Sequence, residues 1–410
     1  MIIELQINNS TSHDARFLGW GPSPCRIRLT NPSGTAGPSV DLQITGKTAS
    51  GGGRVVFRAG ATGVFLETIT VTVPTSGGTV PFFASGKFGQ ASSNNGDVAI
   101  EVRAGATVIA SVPVMVRIRK NANQLTTAER DRFVGAFAKL NNQGQGRFKD
   151  FRDMHVLVSL SQAHGAPGFL PWHRAYLLDL ERDLQAIDPS VSLPYWRFDQ
   201  PAPNVFTRDF FGESDQNGTV QFSATNPLQF WRTDGDLGVI RLPFFPTSTA
   251  PPGLLNELQT LALGGSSNTY KLFRQMERNP HGSAHVSFDG SIDDPATAPK
   301  DPLFFLLHCN VDRLWAAWQR KFNRFDPAIA ASFDTMAASA AGHKLQDTMW
   351  PWNGITGGTR PPTAPGGPMS ASPTVSAPGP QPRVRDLLDY QGVIGAVSEL
   401  GFDYDDAPFV

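Results

Sequence analysis

HGAPGFLPWHRAYLLDLE, residues 164–181, places two of the chain's eight histidines nine positions apart, around a Gly- and Pro-containing turn. After the turn, Pro171 is compatible with a helix start, which sets His173 in the first turn of a helix. Leu177, Leu180 and Leu184 then mark the apolar side of that helix. A third histidine, His155, lies nine residues upstream in FRDMHVLVSLSQ (151–162), a stretch expected to be helical. One histidine among apolar residues is ordinarily a hydrogen-bonded core residue. Three brought together there are costly to desolvate unless they share a partner.

The pattern recurs further on. In NPHGSAHVSF (279–288), Pro280 opens a helix in which His281 and His285 share one face, four positions apart. In DPLFFLLHCNVDRLWAAW (301–318), Asp301 caps a helix with Pro302 at its first position, and His308 lies about two turns in. Six of the eight histidines thus form two trios; His13 and His343 fall outside both and read as surface or packing residues. Neutral imidazole suits Cu, Zn, Fe and Ni. Hydrolytic zinc sites commonly add a carboxylate or keep a position open for water. Two all-imidazole trios without thiolate or carboxylate ligands favour two copper ions over zinc.

The 410-residue chain has room for two domains. Its first part alternates with the period of strands: CRIRLT (25–30), VDLQIT (40–45), RVVFRA (54–59), VFLETITVTV (64–73), TVPFFA (79–84), DVAIEV (97–102) and VIASVPVMVRI (108–118). The expectation is an all-β sandwich over 1–118, followed by a mainly α-helical domain over 119–410. That second domain begins at LTTAERDRFVGAFAKL (125–140), where Thr126 and Glu129 have capping-box spacing and Phe133, Phe137 and Leu140 form the apolar face. A Pro/Gly-rich loop occupies 350–383, and the ending RVRDLLDYQGVIGAVSELGFDYDD is expected to pack onto the helical domain.

Lys and Arg number 35 against 36 Asp and Glu, so no net field recruits nucleic acid or an anionic membrane. No run of about eighteen apolar residues suggests a membrane span. The start, MIIELQINNS, lacks the features of a signal peptide. The expectation is a soluble protein, cytoplasmic or exported with a partner. Cys25 and Cys309 show neither disulfide nor metal spacing.

HGAPGFLPWHRAYLLDLE with YWRFD (195–199), NPHGSAH (279–285) and DPLFFLLHCNVDRLW (301–315) together resemble the tyrosinase, catechol oxidase and haemocyanin superfamily of type-3 copper proteins, over residues 115–410. The resemblance implies a four-helix core around a dicopper site in the helical domain, where His155, His164 and His173 hold one copper ion and His281, His285 and His308 the second, with O2 as co-substrate. It implies small phenolic substrates and o-quinone products, and admits a copper chaperone or a homo-oligomer as protein partners. Phe304 resembles the phenylalanine that packs over the copper site, and Glu277 resembles a glutamate that helps deprotonate monophenols. The asparagine that accompanies this glutamate in many members is replaced by Gly282, a departure that favours diphenol oxidation, whereas Glu277 and a second histidine without a thioether leave room for monophenol hydroxylation as well. No cysteine precedes His164 in LSQAH, so the thioether of some relatives is expected to be absent. GFDY (401–404) resembles a structural closing element, and little C-terminal latency is expected. Asp312, four residues after His308, either orients a histidine ring or pairs with an arginine. An o-aminophenol oxidase, a haemocyanin-like oxygen carrier, and a binding protein acting through its β-domain are the competing functions.

Overall fold

The computed structural model describes residues 1–34, 37–334 and 341–409. It contains two compact units: residues 1–118 with 372–376 and the end of the chain from Gly401, and residues 119–371 with 377–400.

The first unit is a pair of sheets. Its strands are β1 (Ile2–Ile7), β2 (Phe17–Leu18), β3 (Ser23–Asn31), β4 (Ser39–Thr48), β5 (Val55–Arg58), β6 (Thr68–Pro74), β7 (Val80–Gly86), β8 (Val98–Ala104) and β9 (Thr107–Val116). One sheet has the order β1-β3-β7-β5 and the other β2-β9-β8-β4-β6. All neighbours pair antiparallel except β2 with β9. Alternation sets the faces: in β3, Cys25, Ile27 and Leu29 point inward between exposed Arg26 and Arg28, and in β6, Ile69, Val71 and Val73 alternate with outward threonines. Side chains from both sheets, including Leu5, Ile27, Phe57, Phe82, Ile100 and Val114, join one core, which makes the unit a sandwich.

The ending of the chain divides. The 3-10 turn Val384–Leu387 stays with the helical unit, where Arg174 donates to the Leu387 carbonyl at 2.8 Å. From Gly401 onward the chain joins the β unit instead of the helical one. There the Asp403 carboxylate accepts from the Trp20 amide at 2.7 Å, and the Trp20 indole donates to the Tyr404 carbonyl at 2.8 Å. These partners lie more than 380 positions away in sequence, so local patterning does not announce them.

The second unit contains α1 (Thr127–Asn141), α2 (Phe148–Met154), α3 (Leu160–Ala163), α4 (Phe169–Ile187), α5 (Glu257–Ala262), α6 (Tyr270–Phe273), α7 (Ser283–His285) and α8 (Leu303–Phe322). Thr126 and Glu129 form the capping box reciprocally. Phe133, Phe137 and Leu140 are buried, and Phe137 meets Phe148, Trp231 and Phe305 edge to face. Helices α4 and α8 pack on each other and are buried on nearly every side, as expected for central helices. Two arginine–carboxylate groups stand behind them. Arg119 and Arg174 both donate to Asp312, at 3.2 and 2.6 Å, and Arg241 grips Asp301 with two bonds of 2.7 Å. Asp301 Oδ1 also accepts from the Leu303 amide at 2.9 Å, capping α8. The 350–383 stretch is irregular but pinned: the Trp172 indole donates to the Trp350 carbonyl and the Trp352 indole to Asp179. Among the described residues no helix is long and apolar enough to cross a membrane.

Candidate metal centre

Each expected histidine is carried by a different local device. His155 is not inside a helix: α2 ends at Met154 and His155 follows with φ −121° and ψ 81°. The cause is local. Ser159 Oγ accepts from the Val156 amide at 2.9 Å and donates to the Val156 carbonyl at 2.7 Å, so the side chain takes backbone groups a continuing helix would use. His164 follows α3 in extended conformation, and Gly165 turns the chain at φ +70°. His173 is in the second turn of α4, because that helix starts at Phe169, before Pro171. His281 and His285 lie on a short helical run that opens after Asn279, whose φ −146° and ψ 119° are extended, and His308 lies in α8.

The six converge as two trios. Within His155/His164/His173, and within His281/His285/His308, one ring nitrogen per residue lies within 4.8 Å of the others. In the first trio the Nε2 atoms of His155 and His164 are 2.9 Å apart. In the second, His308 Nε2 is 3.3 Å from that of His281 and 3.2 Å from that of His285. The trios adjoin, with the rings of His173 and His308 stacked at a centroid separation of 4.2 Å.

The opposite ring nitrogens explain the tautomers. Nδ1–H donates to the Phe169 carbonyl from His173 (2.9 Å), to the Glu277 carbonyl from His281 (2.6 Å) and to the Ile292 carbonyl from His285 (2.7 Å). His164 Nδ1 donates to the Glu277 carboxylate at 3.2 Å. A neutral ring with its proton on Nδ1 presents a bare lone pair at Nε2. The lone pairs of His281 and His285 therefore both face His308 Nε2, and buried His173 Nε2 meets no hydrogen-bond partner among the described residues. Converging lone pairs repel unless an electron-pair acceptor lies between them. The donor set thus fits a metal ion in each trio, and its all-imidazole character suits copper.

Electrostatics agree. Burial, reinforced by the neighbouring imidazoles, holds His155, His173, His281 and His308 well below the usual histidine range. Burial likewise lowers His285 to about 4, against the opposing pull of the Ile292 carbonyl. All five remain neutral, as ligation requires.

Around the trios, Phe304 is fully buried with its ring 4.1 Å from that of His308 and 5.0 Å from that of His155. Trp172 packs at 5.9 Å from His155 and 5.0 Å from His173. Glu277 Oε1 accepts from the Gly165 amide at 2.6 Å as well as from His164. Gly282 has space beside it: a Cβ there would come no nearer than 3.4 Å to the Glu277 carbonyl oxygen. Asp312 holds Arg119 and Arg174, and among the described residues His308 Nδ1 has no hydrogen-bond partner. The carbonyls of Phe169, Glu277 and Ile292 carry no sequence signal, since any residue type supplies them. His343, read as a surface or packing residue, is buried and bonded to the His164 loop.

Residues 145–321 match the family model described as the common central domain of tyrosinase. The tyrosinase of Streptomyces glaucescens is 32% identical over 263 residues, covering 58% of this chain and 92% of that protein. Grixazone synthase of Streptomyces griseus is 29% identical over 268 residues, covering 50% and 85%. Among solved structures, deoxygenated haemocyanin of Rapana thomasiana aligns with a TM-score of 0.49 at 21% identity, over 71% of this chain and 70% of that one.

Proposed function

The chain belongs to the tyrosinase family of type-3 dicopper proteins, and from that premise we propose that it oxidises small o-diphenols to o-quinones with O2, with little hydroxylation of monophenols. His155, His164 and His173 hold one copper ion in this reading, and His281, His285 and His308 the other. Bound there, the copper pair supplies the redox chemistry: two diphenols each lose two electrons and two protons, and one O2 becomes two waters.

The protein's own groups supply the rest. The Nδ1–H bonds to Phe169, Glu277 and Ile292 orient the ligand rings before any metal arrives. Phe304 and Trp172 exclude water from the inner side. His164 is the outlet: its side chain is 18% exposed, while the other five histidines are buried. Exposed Leu157, Val158 and Val286 follow closely on ligand histidines and offer apolar contact to an aromatic ring.

The observation that carries the diphenol preference is the state of Glu277. Its Oε1 is engaged by Gly165 and His164, and Gly282 brings no side chain to help position a water beside His281. Glu277 therefore acts by positioning His164. An o-diphenol needs only to lose electrons and protons, whereas a monophenol also needs oxygen insertion next to a deprotonated hydroxyl.

The test is oxygen uptake by the copper-loaded chain with 4-tert-butylcatechol and, in parallel, 4-tert-butylphenol. Quinone formation from the catechol at a rate at least tenfold above the phenol is expected. Reversible oxygenation without quinone would make the protein an oxygen carrier, and equal rates without a lag would overturn the diphenol preference. Oxidation of o-aminophenol faster than the catechol would move the substrate to that class.

A further inference from the structure

The loop between α3 and α4 carries His164 and contains no cysteine, so its shape rests on hydrogen bonds. Its two ends are joined by one ring from far along the chain. His343 Nε2–H donates to the Ser161 carbonyl at 2.8 Å, and the Gly168 amide donates to His343 Nδ1 at 3.1 Å. A carbonyl only accepts and an amide only donates, so both bonds exist together only with a neutral ring protonated at Nε2. The ring is 1% exposed, and burial lowers its pKa in keeping with that form.

The surroundings are built to deliver this ring. Asp347 accepts from the amides of Gly342, His343 and Lys344 at 2.9, 3.2 and 3.2 Å, which shapes the turn that presents it. The Gln162 side-chain amide donates to the Ala341 carbonyl. Gly168 is needed for the approach, since a Cβ there would stand 2.6 Å from both His343 Nδ1 and the Gly342 carbonyl. Gly342, at φ +91°, would in turn drive a Cβ into Gln162. Between the clamped ends, Glu277 and Tyr270 hold Gly165 and Pro167.

We propose that His343 is a positioning residue for the first histidine trio: by bridging Ser161 to Gly168 it fixes the loop that presents His164, and so sets how long a copper ion stays on that trio. The inference rests on the dicopper reading. It is specific to one trio, because His281, His285 and His308 are carried by other elements.

Copper release measures it. Full-length protein is loaded with copper, the ions are counted, and their transfer to a chelator is followed in time. His343→Leu removes both bonds. His343→Gln leaves an amide to donate to Ser161, and His343→Asn leaves a carbonyl to accept from Gly168. The wild type is expected to hold two ions. His343→Leu should release one of them about 10- to 100-fold faster, the scale of lost ligand-supporting bonds, and leave the other unchanged; Gln and Asn should fall between. Isolated Cu(II), counted by electron paramagnetic resonance, should appear as the first ion departs. Gly168→Ala, which displaces the ring without touching His343, should act like His343→Leu and covers the case in which that variant does not fold. Release of both ions at wild-type rates in the variants, or equal acceleration of both, overturns the proposal. A wild type that binds no copper pair would instead sink the dicopper reading itself.

Discussion

The rings of His173 and His308 lie nearly parallel, 12° apart in plane and 4.2 Å between centroids, although they belong to different trios. Stacking across the boundary makes the two metal positions share a wall. His308 also supplies the Nε2 atom that both His281 and His285 face. His308→Ala should therefore lower bound copper from two ions per chain to one or fewer and bring diphenol oxidation to background. Exposed His13, whose ring meets Arg16, provides the control: His13→Ala should keep both ions. Metal analysis after desalting decides, and retention of two ions by His308→Ala would exclude the assigned ligand set.

Glu277 offers a sharper division. If its carboxylate positions His164, Glu277→Gln weakens the charge-assisted bond at Nδ1 and should loosen copper about tenfold. Diphenol oxidation should then fall with it. If the carboxylate serves only as a base for monophenols, copper affinity and diphenol oxidation stay at wild-type values and monophenol turnover alone declines. Copper titration alongside both substrates separates the two.

How much of this site is legible before the structure depends on the range of the interaction. His281 and His285 are readable because four residues along a helix return to the same face, and the α1 start is readable because Thr126 and Glu129 satisfy each other locally. Strand alternation in β3 and β6 is equally local. What local pattern leaves out is of two kinds. His155 leaves the helix because Ser159 captures backbone groups of Val156, a competition that periodicity does not weigh. The roles of His343 and Asp312, and the placing of Asp403 beside Trp20, depend on partners 100 or more positions away. Nothing in the flanking residues of His343 distinguishes a buried clamp from a surface ring.

Position 282 tests the reading of the missing asparagine. The space beside Gly282 admits a side chain, since a Cβ there would stand 3.4 Å from the Glu277 carbonyl oxygen, an ordinary contact distance. Gly282→Asn should thus fold and load copper like the wild type. It should raise the ratio of monophenol to diphenol oxidation severalfold by adding a hydrogen-bonding group next to His281. An unchanged ratio would show that other residues restrict monophenol hydroxylation.

Without copper, the same histidines make the chain acid-sensitive, and the sign follows from their direction of shift. Burial depresses the five pKa values in the folded chain below the unfolded value near 6.5. Between the folded and unfolded pKa values the unfolded state binds more protons, so stability falls as pH falls. The loss begins below about 6.5 and continues through about 4, where His285 itself protonates. His285 alone would cost about 3 kcal/mol by that point. Denaturant unfolding of the copper-free chain should show a midpoint that is level from pH 8 to 7 and declines steeply from 6 to 4. His285→Gln, which cannot titrate, should flatten part of that decline. A midpoint independent of pH across this range would mean that the rings are not held neutral and buried as described.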